Sequence, residues 1–179
     1  MSSAGPTVLI LASGRGERFL ASGGATHKLR ALLAGKPVLQ HTLDAVRASG
    51  LPFHLEDAGH PGMGDAIAAA VRATPESSGW LVLPGDLPLM TPATLLAVAG
   101  QLAAHPVVVP VFEGRRGHPV GFAAACGDAL AALQGDKGAA AVVRAHGAWE
   151  LAVTDVGSVT DIDTVDDLQA AEQLLKSRV

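Results

Sequence analysis

The chain has 179 residues, the length of one domain, and 49% of them are apolar, enough for a buried core. A formal net charge of −4 weighs against a nucleic-acid or anionic-membrane partner, and 3% aromatic residues with no Tyr weigh against a base-stacking platform. The single Cys126 excludes an internal disulfide and a Cys-based zinc site, and the start at residues 1–6 has no basic leader, so a cytoplasmic protein without a membrane span is expected.

Residues 7–12 form a continuous apolar run, the pattern of a strand buried on both faces. The spacing predicts a helix over 37–49, with Val38, Leu39, Thr42, Leu43 and Val46 on one face and Gly50 as its stop. A second helix is predicted over 65–74, carrying Ile67, Ala70 and Val71, and a second buried strand over 80–83. Thr91 and Pro92 start another helix, Thr91 as cap and Pro92 in the first position, where no amide bond is lost. Leu95, Leu96, Ala99 and Leu102 supply its apolar face. Residues 107–112 read as a strand in which Pro110 points to an edge or a bulge. Then come a strand over 120–124, short helices over 128–133 and 139–146, and a strand over 150–154. A last helix spans 164–176, with Thr164 and Asp167 spaced as in a capping box. This alternation predicts one α/β domain over 1–179 with a mostly parallel sheet. Such sheets bind ligands beyond the carboxyl ends of their strands, which directs attention to the loops after Ala12, Leu83 and Phe112.

The first of these loops continues Leu11 and Ala12 with Ser13, Gly14, Arg15, Gly16, Glu17, Arg18 and Phe19, and Lys28 follows. Glycines let phosphate oxygens approach backbone amides, and Arg and Lys neutralise their charge. Four of the 13 Lys and Arg residues fall at positions 15, 18, 28 and 30. A P-loop is excluded because no Gly-Lys-Ser/Thr follows, and the dinucleotide fingerprint is excluded by Phe19 in place of a small residue. The plainer alternative is a strand-to-loop turn with solvated charges.

The second loop places Gly85 and Asp86 between Pro84 and Pro88, just past a buried strand. Gly85 leaves room for a ligand, and the Asp86 carboxylate suits Mg²⁺, a hard cation that shares its oxygen ligands with phosphates. As a plainer reading, Asp86 caps a turn. Asp161 and Asp163 point to the same side if their segment is extended, so one can complete a metal site while the other caps the last helix, or both serve only as cap and surface. Arg116 and His118, and then Asp136, Lys137 and Gly138, suit the phosphate of an acceptor, with ordinary turns as the alternative. Gly62-Met63-Gly64-Asp65, just before a helix, suits the base or ribose side. His27, His41, His54, His60, His105 and His146 read as surface or structural, since no pair has metal-ligand spacing on a helix.

Taken in order, these motifs resemble the MobA-like nucleotidyltransferases, most closely the molybdenum cofactor cytidylyltransferase group. The loop at 11–19 with Lys28, and Gly85-Asp86-Leu87-Pro88-Leu89, are of a kind shared by many sugar- and cofactor-nucleotidyltransferases. Arg116-Gly117-His118-Pro119 and Gly135-Asp136-Lys137-Gly138-Ala139 resemble the molybdopterin branch more specifically, and Asp161-Ile162-Asp163-Thr164 resembles the family as a whole. The resemblance implies a Rossmann-like three-layer α/β/α sandwich of the nucleotide-diphospho-sugar transferase type. It implies Leu11, Ala12, Ser13, Gly14, Arg15, Gly16, Gly64 and Gly85 around the nucleotide, and Lys28 and Arg18 at its phosphates. Asp86 is the implied principal ligand of Mg²⁺, with Asp161 or Asp163 as a second carboxylate. CTP is the implied donor ahead of GTP, pyrophosphate the leaving group, molybdopterin or its metallated form the acceptor, and a molybdoenzyme the eventual recipient.

Two other readings stay open: a nucleotidyltransferase for a sugar phosphate or isoprenoid precursor, and a non-catalytic relative that delivers the cofactor. The chain departs from the family at Ala12-Ser13-Gly14, at Leu20, at the apparent insertion 21–27, and at 50–62, where a β-α unit is missing or reduced to one strand.

Overall fold

In the computed structural model, which describes residues 5–178, the elements follow the predicted alternation. The expectation of no leader rests partly on residues 1–4, which lie outside the described residues. Strand β1 (Thr7–Leu11) leads through a loop to helix α1 (Glu17–Ala21), a small hairpin of β2 (Leu32–Leu33) and β3 (Lys36–Pro37), and helix α2 (Val38–Ser49). Next come β4 (Phe53–Glu56), α3 (Met63–Arg72), β5 (Gly79–Pro84) and α4 (Pro92–Gln101). The second half holds β6 (Val107–Phe112), β7 (Arg115–Arg116), β8 (Val120–Ala123), α5 (Gly127–Ala131), α6 (Ala140–His146), β9 (Trp149–Ala152) and α7 (Val165–Ser177).

Seven strands form the main sheet in the order β4-β1-β5-β8-β6, with β7 and β9 on β6. Strand β1 is parallel to β4 and β5, β9 is parallel to β6, and β8 is antiparallel to both β5 and β6. Five strands therefore run one way, and only β8 and β7 are reversed, so the sheet is mostly parallel. Period-two alternation sends Leu9 and Leu11 to one face, where they pack with Ile67, Ala70, Leu130 and Val142 from α3, α5 and α6. Val8 and Ile10 face the other way, onto Leu43 and Val46 of α2 and Leu95 and Val98 of α4. Burial on both faces explains the unbroken apolar runs and builds the three-layer α/β/α sandwich. A third cluster, with Phe19, Leu29, Leu33, Leu89, Ile162 and Ala171, joins α1, the β2-β3 hairpin and α7 at one end of the sheet. Among the described residues no helix is long and apolar enough to cross a membrane.

Several local expectations change. Strand β6 is paired on both sides, so Pro110 marks no edge. Opposite it, pairing passes from β8 at Val107 and Val108 to β7 at Val111 and Phe112, and the reversed strand is interrupted around Gly117, whose N–H donates to the Pro110 carbonyl at 2.8 Å. Thr91 takes the cap position of α4 but does not cap it, because its hydroxyl donates to Asp155 at 2.8 Å. The buried face of α4 is Thr94, Leu95 and Val98, while Leu96 points to solvent. Helix α3 starts at Met63 rather than 65, and segment 50–62 contributes one strand, β4, at the sheet edge. The Thr164–Asp167 capping box forms with both arms in place.

Candidate active site

The site grows from the carboxyl ends of β1 and β5, which lie side by side. The Gly85 N–H donates to the Leu11 carbonyl at 2.8 Å, and the Thr42 hydroxyl donates to the Gly85 carbonyl at 2.9 Å. A Cβ on Gly85 would stand 2.9 Å from the end of Leu39 and 3.1 Å from the Leu11 oxygen, so glycine lets the two strand ends meet without displacing either. The next residue, Asp86, accepts at its backbone carbonyl the N–H of Ile162 at 3.0 Å. That bond draws the 161–163 segment to the end of β5. Asp167 accepts the N–H groups of Asp163 and Thr164 at 3.0 and 2.8 Å, so Asp167, not Asp163, works at the helix cap, and the Asp163 carboxylate is free to face inward.

Asp86, Asp161 and Asp163 each place a carboxylate oxygen within 4.8 Å of the others. The Lys28 ammonium donates to Asp86 Oδ2 at 2.8 Å and to Asp163 Oδ1 at 3.1 Å, and Arg18 reaches Asp163 Oδ2 at 3.1 Å from an exposed position. Burial, seconded by the charges of Asp161 and Asp163, pushes the Asp86 carboxyl above its usual range against the pull of Lys28. Burial works against the Lys28 ammonium too, but Asp86 and then Asp163 hold it above its usual value. Two of the three carboxylates, Asp86 and Asp163, thus share one half-buried ammonium, Asp161 has no contact with it, and among the described residues the buried Asp86 Oδ1 has no hydrogen-bond partner. An oxygen-only set with surplus negative charge and an orphaned buried oxygen fits a hard divalent cation.

Around this group opens a cavity of about 580 Å³. Leu11, Ser13, Gly14, Arg15, Gly16, Arg18, Lys28, Gly85, Asp86, Asp136 and Asp163 all line it, so the basic loop and the Gly85-Asp86 turn meet in one place. Gly16 adopts the left-handed conformation (φ 66°) that turns the loop into α1. Among the described residues, the backbone N–H groups of Ser13, Gly14, Arg15 and Gly16 donate to no other part of the chain. Ala12 lies just behind, its N–H on the Glu56 carbonyl at 2.9 Å.

The remaining candidates are scattered. Gly64 turns away from the cavity, its N–H on the Gly135 carbonyl at 2.8 Å, and a Cβ there would meet 134–135 at 2.9 Å. Gly138 packs against Met63, and Lys137 is exposed. Arg116 sits on the outer part of the sheet in a pair with Glu150 at 2.7 Å. His118 turns inward. Burial holds its imidazole below the usual range against the pull of Asp86 and Asp161, its backbone N–H donates to the Ser158 carbonyl at 2.8 Å, and its Nδ1 is buried without a partner. Of the five acceptor candidates, only Asp136 lines the cavity.

Gly62 and Met63 of the 62–65 segment line the cavity, and with them His60 and Pro61 at the carboxyl end of β4, which sequence reasoning missed. His60 and His54 bond the two oxygens of Glu56 at 2.9 and 3.1 Å and hold its carboxyl below the usual range, although burial pushes the other way. The rule that ligands gather at strand ends is the available signal, but the shortness of segment 50–62 hides where its strand ends.

A family model described as the MobA-like NTP transferase domain matches residues 44–149. The chain is similar to the bifunctional protein GlmU of Halorhodospira halophila, 34% identical in an alignment of length 134 that covers 60% of this chain and 28% of that protein. It is also similar to the 2-C-methyl-D-erythritol 4-phosphate cytidylyltransferase of Frankia casuarinae, 33% identical in an alignment of length 126 that covers 58% of this chain and 46% of that one. It therefore spans 28 to 46% of the length of these two curated relatives. Among solved structures, Rv0371c of Mycobacterium tuberculosis H37Rv superposes with a TM-score of 0.82 at 27% identity, covering 96% of this chain and 100% of that one. A manganese complex of Rv0371c superposes with a TM-score of 0.74 at 24% identity, covering 94% and 98%.

Proposed function

The chain belongs to the MobA-like NTP transferase domain family, and from that membership we propose that it transfers CMP from CTP to the phosphate of a molybdopterin-type acceptor, releasing pyrophosphate. The single observation that carries the reading is the meeting of the amide- and arginine-bearing loop with the Asp86 carboxylate group in one cavity.

An oxygen of the acceptor phosphate bonds to the α-phosphorus of the triphosphate, the bond from that phosphorus to the β-phosphate's bridging oxygen breaks, and pyrophosphate leaves. The acceptor phosphate is already ionised, so no strong general base is needed, and positioning and charge neutralisation carry the rate. The free amides of Ser13, Gly14, Arg15 and Gly16 hold the triphosphate, Arg15 and Arg18 cover its outer charge, and Lys28 supplies a cation at the cavity floor. Asp86, Asp161 and Asp163 would hold Mg²⁺, which when bound neutralises charge on the donor phosphates.

Molybdopterin as acceptor rests on the Arg116–Pro119 and Gly135–Ala139 motifs, and on Asp136 at the cavity. A different phosphorylated acceptor is the second reading, favoured by the pairing of Arg116 with Glu150 away from the cavity. The test is a nucleotide screen in Mg²⁺ with purified molybdopterin, a sugar phosphate and methylerythritol phosphate, reading products by mass. A cytidylylated pterin is the expected product. Turnover only with another acceptor moves the assignment to the second reading, and pterin binding without turnover of any nucleotide refutes the enzyme and leaves the cofactor-carrier reading.

A further inference from the structure

His27 lies at the end of the apparent insertion 21–27 and next to Lys28, and the spacing gave it no role. Its two ring nitrogens are both engaged. Nδ1 faces the backbone N–H of Leu29 at 3.2 Å, and Nε2 faces the carbonyl of Gly14 at 2.6 Å. A backbone N–H can only donate and a carbonyl can only accept, so one protonation state satisfies both: Nδ1 bare, Nε2 carrying the proton. The same ring covers Gly16, where a Cβ would stand 3.2 Å from it, so left-handed geometry and ring contact both require glycine there.

We propose that His27, as its Nε2–H tautomer, is a positioning residue that sets the glycine-rich loop for the triphosphate. In a trans peptide the carbonyl and the following N–H point in opposite directions. Holding the Gly14 carbonyl therefore fixes the direction of the Arg15 N–H. His27 is not part of the cavity wall, whereas Gly14, Arg15 and Gly16 are. The carbonyl is turned toward a ring that is not in the cavity wall, so the Arg15 N–H is turned away from that ring. Through Lys28, the same turn carries the ammonium that bridges Asp86 and Asp163, so one imidazole ties the anion-binding amides to the cation at the floor. This inference rests on reading the cavity as a polyphosphate site.

The test compares the wild type with His27→Ala, His27→Asn and His27→Gln. Affinity for CTP and GTP in Mg²⁺ is measured by calorimetry, and the ring nitrogens of His27 are followed by NMR. The expected wild-type spectrum shows protonated Nε2 and bare Nδ1. His27→Ala removes both bonds, and His27→Asn keeps only the short arm toward Leu29; each is expected to weaken triphosphate binding about tenfold, the worth of one well-placed hydrogen bond. His27→Gln restores a donor at the reach of Nε2 and is expected to recover most of the affinity. A merely structural role would lower the melting temperature in all three variants without this rescue. A wild type in the Nδ1–H form, unchanged binding in His27→Ala, or His27→Gln as weak as His27→Ala overturns the inference alone. A wild type that binds neither nucleotide overturns the functional reading and takes this inference with it.

Discussion

Asp86 and Asp155 are both carboxylates that follow strands in this sheet, yet they are treated in opposite ways. Asp155 is saturated. Its Oδ2 accepts the Thr91 N–H at 3.0 Å and the hydroxyls of Thr91 and Thr94 at 2.8 Å each, and its Oδ1 accepts the Gly157 N–H at 2.9 Å and Arg178 at 3.3 Å. Asp86 has Lys28 on one oxygen and nothing on the other, and two more carboxylates stand within reach. A buried acceptor left unmatched costs about 1–3 kcal/mol, so a fold selected only for stability would resemble the Asp155 arrangement. The one carboxylate ties the 155–158 turn, α4 and the end of α7 together. The other keeps capacity in reserve, as functional groups do when they break the local rules of satisfaction.

The sharpest way to break the contrast is Asp86→Asn. Turnover in the nucleotide screen is expected to fall at least about a thousandfold, the scale seen when a group that organises transition-state charge is removed. The melting temperature is expected to hold or rise slightly, because the substitution removes surplus negative charge from a half-matched site. Wild-type-like pyrophosphate release from the variant would end the assignment. Asp155→Ala is the mirror experiment. Five donors lose their acceptor together, and denaturant unfolding is expected to show a loss of about 3 kcal/mol, with kcat of the remaining folded protein within about threefold of wild type. Loss of turnover at full stability in Asp155→Ala would put it in the site and erase the distinction.

Metal addition separates the two carboxylates more gently. At 100 times its dissociation constant, an ion that binds only the folded chain stabilises it by about 2.7 kcal/mol. Mn²⁺ or Mg²⁺ is therefore expected to raise the melting temperature of the wild type and of a mildly destabilised variant at Asp155, but not of Asp86→Asn. An equal rise in Asp86→Asn would move the ion elsewhere.

Half of this contrast was readable in the chain. The apolar runs of β1 and β5, the glycines and arginines after the first, and Asp86 after the second announce themselves, because strand burial and phosphate chemistry both leave local signatures. Asp161 and Asp163 were visible as candidates, but only the long-range bond from Ile162 to the Asp86 carbonyl shows why they arrive together. The Asp155 hub was not legible: it takes Thr91 from its expected role as a cap, and no local pattern says that a residue 64 positions away competes for a hydroxyl. His60 and Pro61 were not legible for a related reason, since a short edge strand shows its carboxyl end only once its pairing with β1 is known.

Glu56 stands between the two cases, and its test is the smallest and the most specific. Its carboxylate ends β4 beneath the cavity, bonded on one oxygen by His54 and on the other by His60. Burial raises its affinity for the proton, but the two imidazoles outweigh that and hold the carboxyl below its ordinary range in the folded chain. A carboxyl with a depressed folded value adds stability that is present above its unfolded value and disappears as pH falls through the folded one. Its contribution is therefore intact at pH 6 and gone in strong acid, with the change falling below about pH 4.5. Glu56→Gln is expected to remove about 1 kcal/mol or less at neutral pH and to flatten the acid limb of the stability profile there. Since His60 also lines the cavity, its release should reach the nucleotide side, seen as a modest rise in the KM for CTP with kcat unchanged. An acid limb identical in Glu56→Gln and wild type would make Glu56 a bystander, and a change in kcat rather than KM would place it nearer to the chemistry than to the wall that holds the nucleotide.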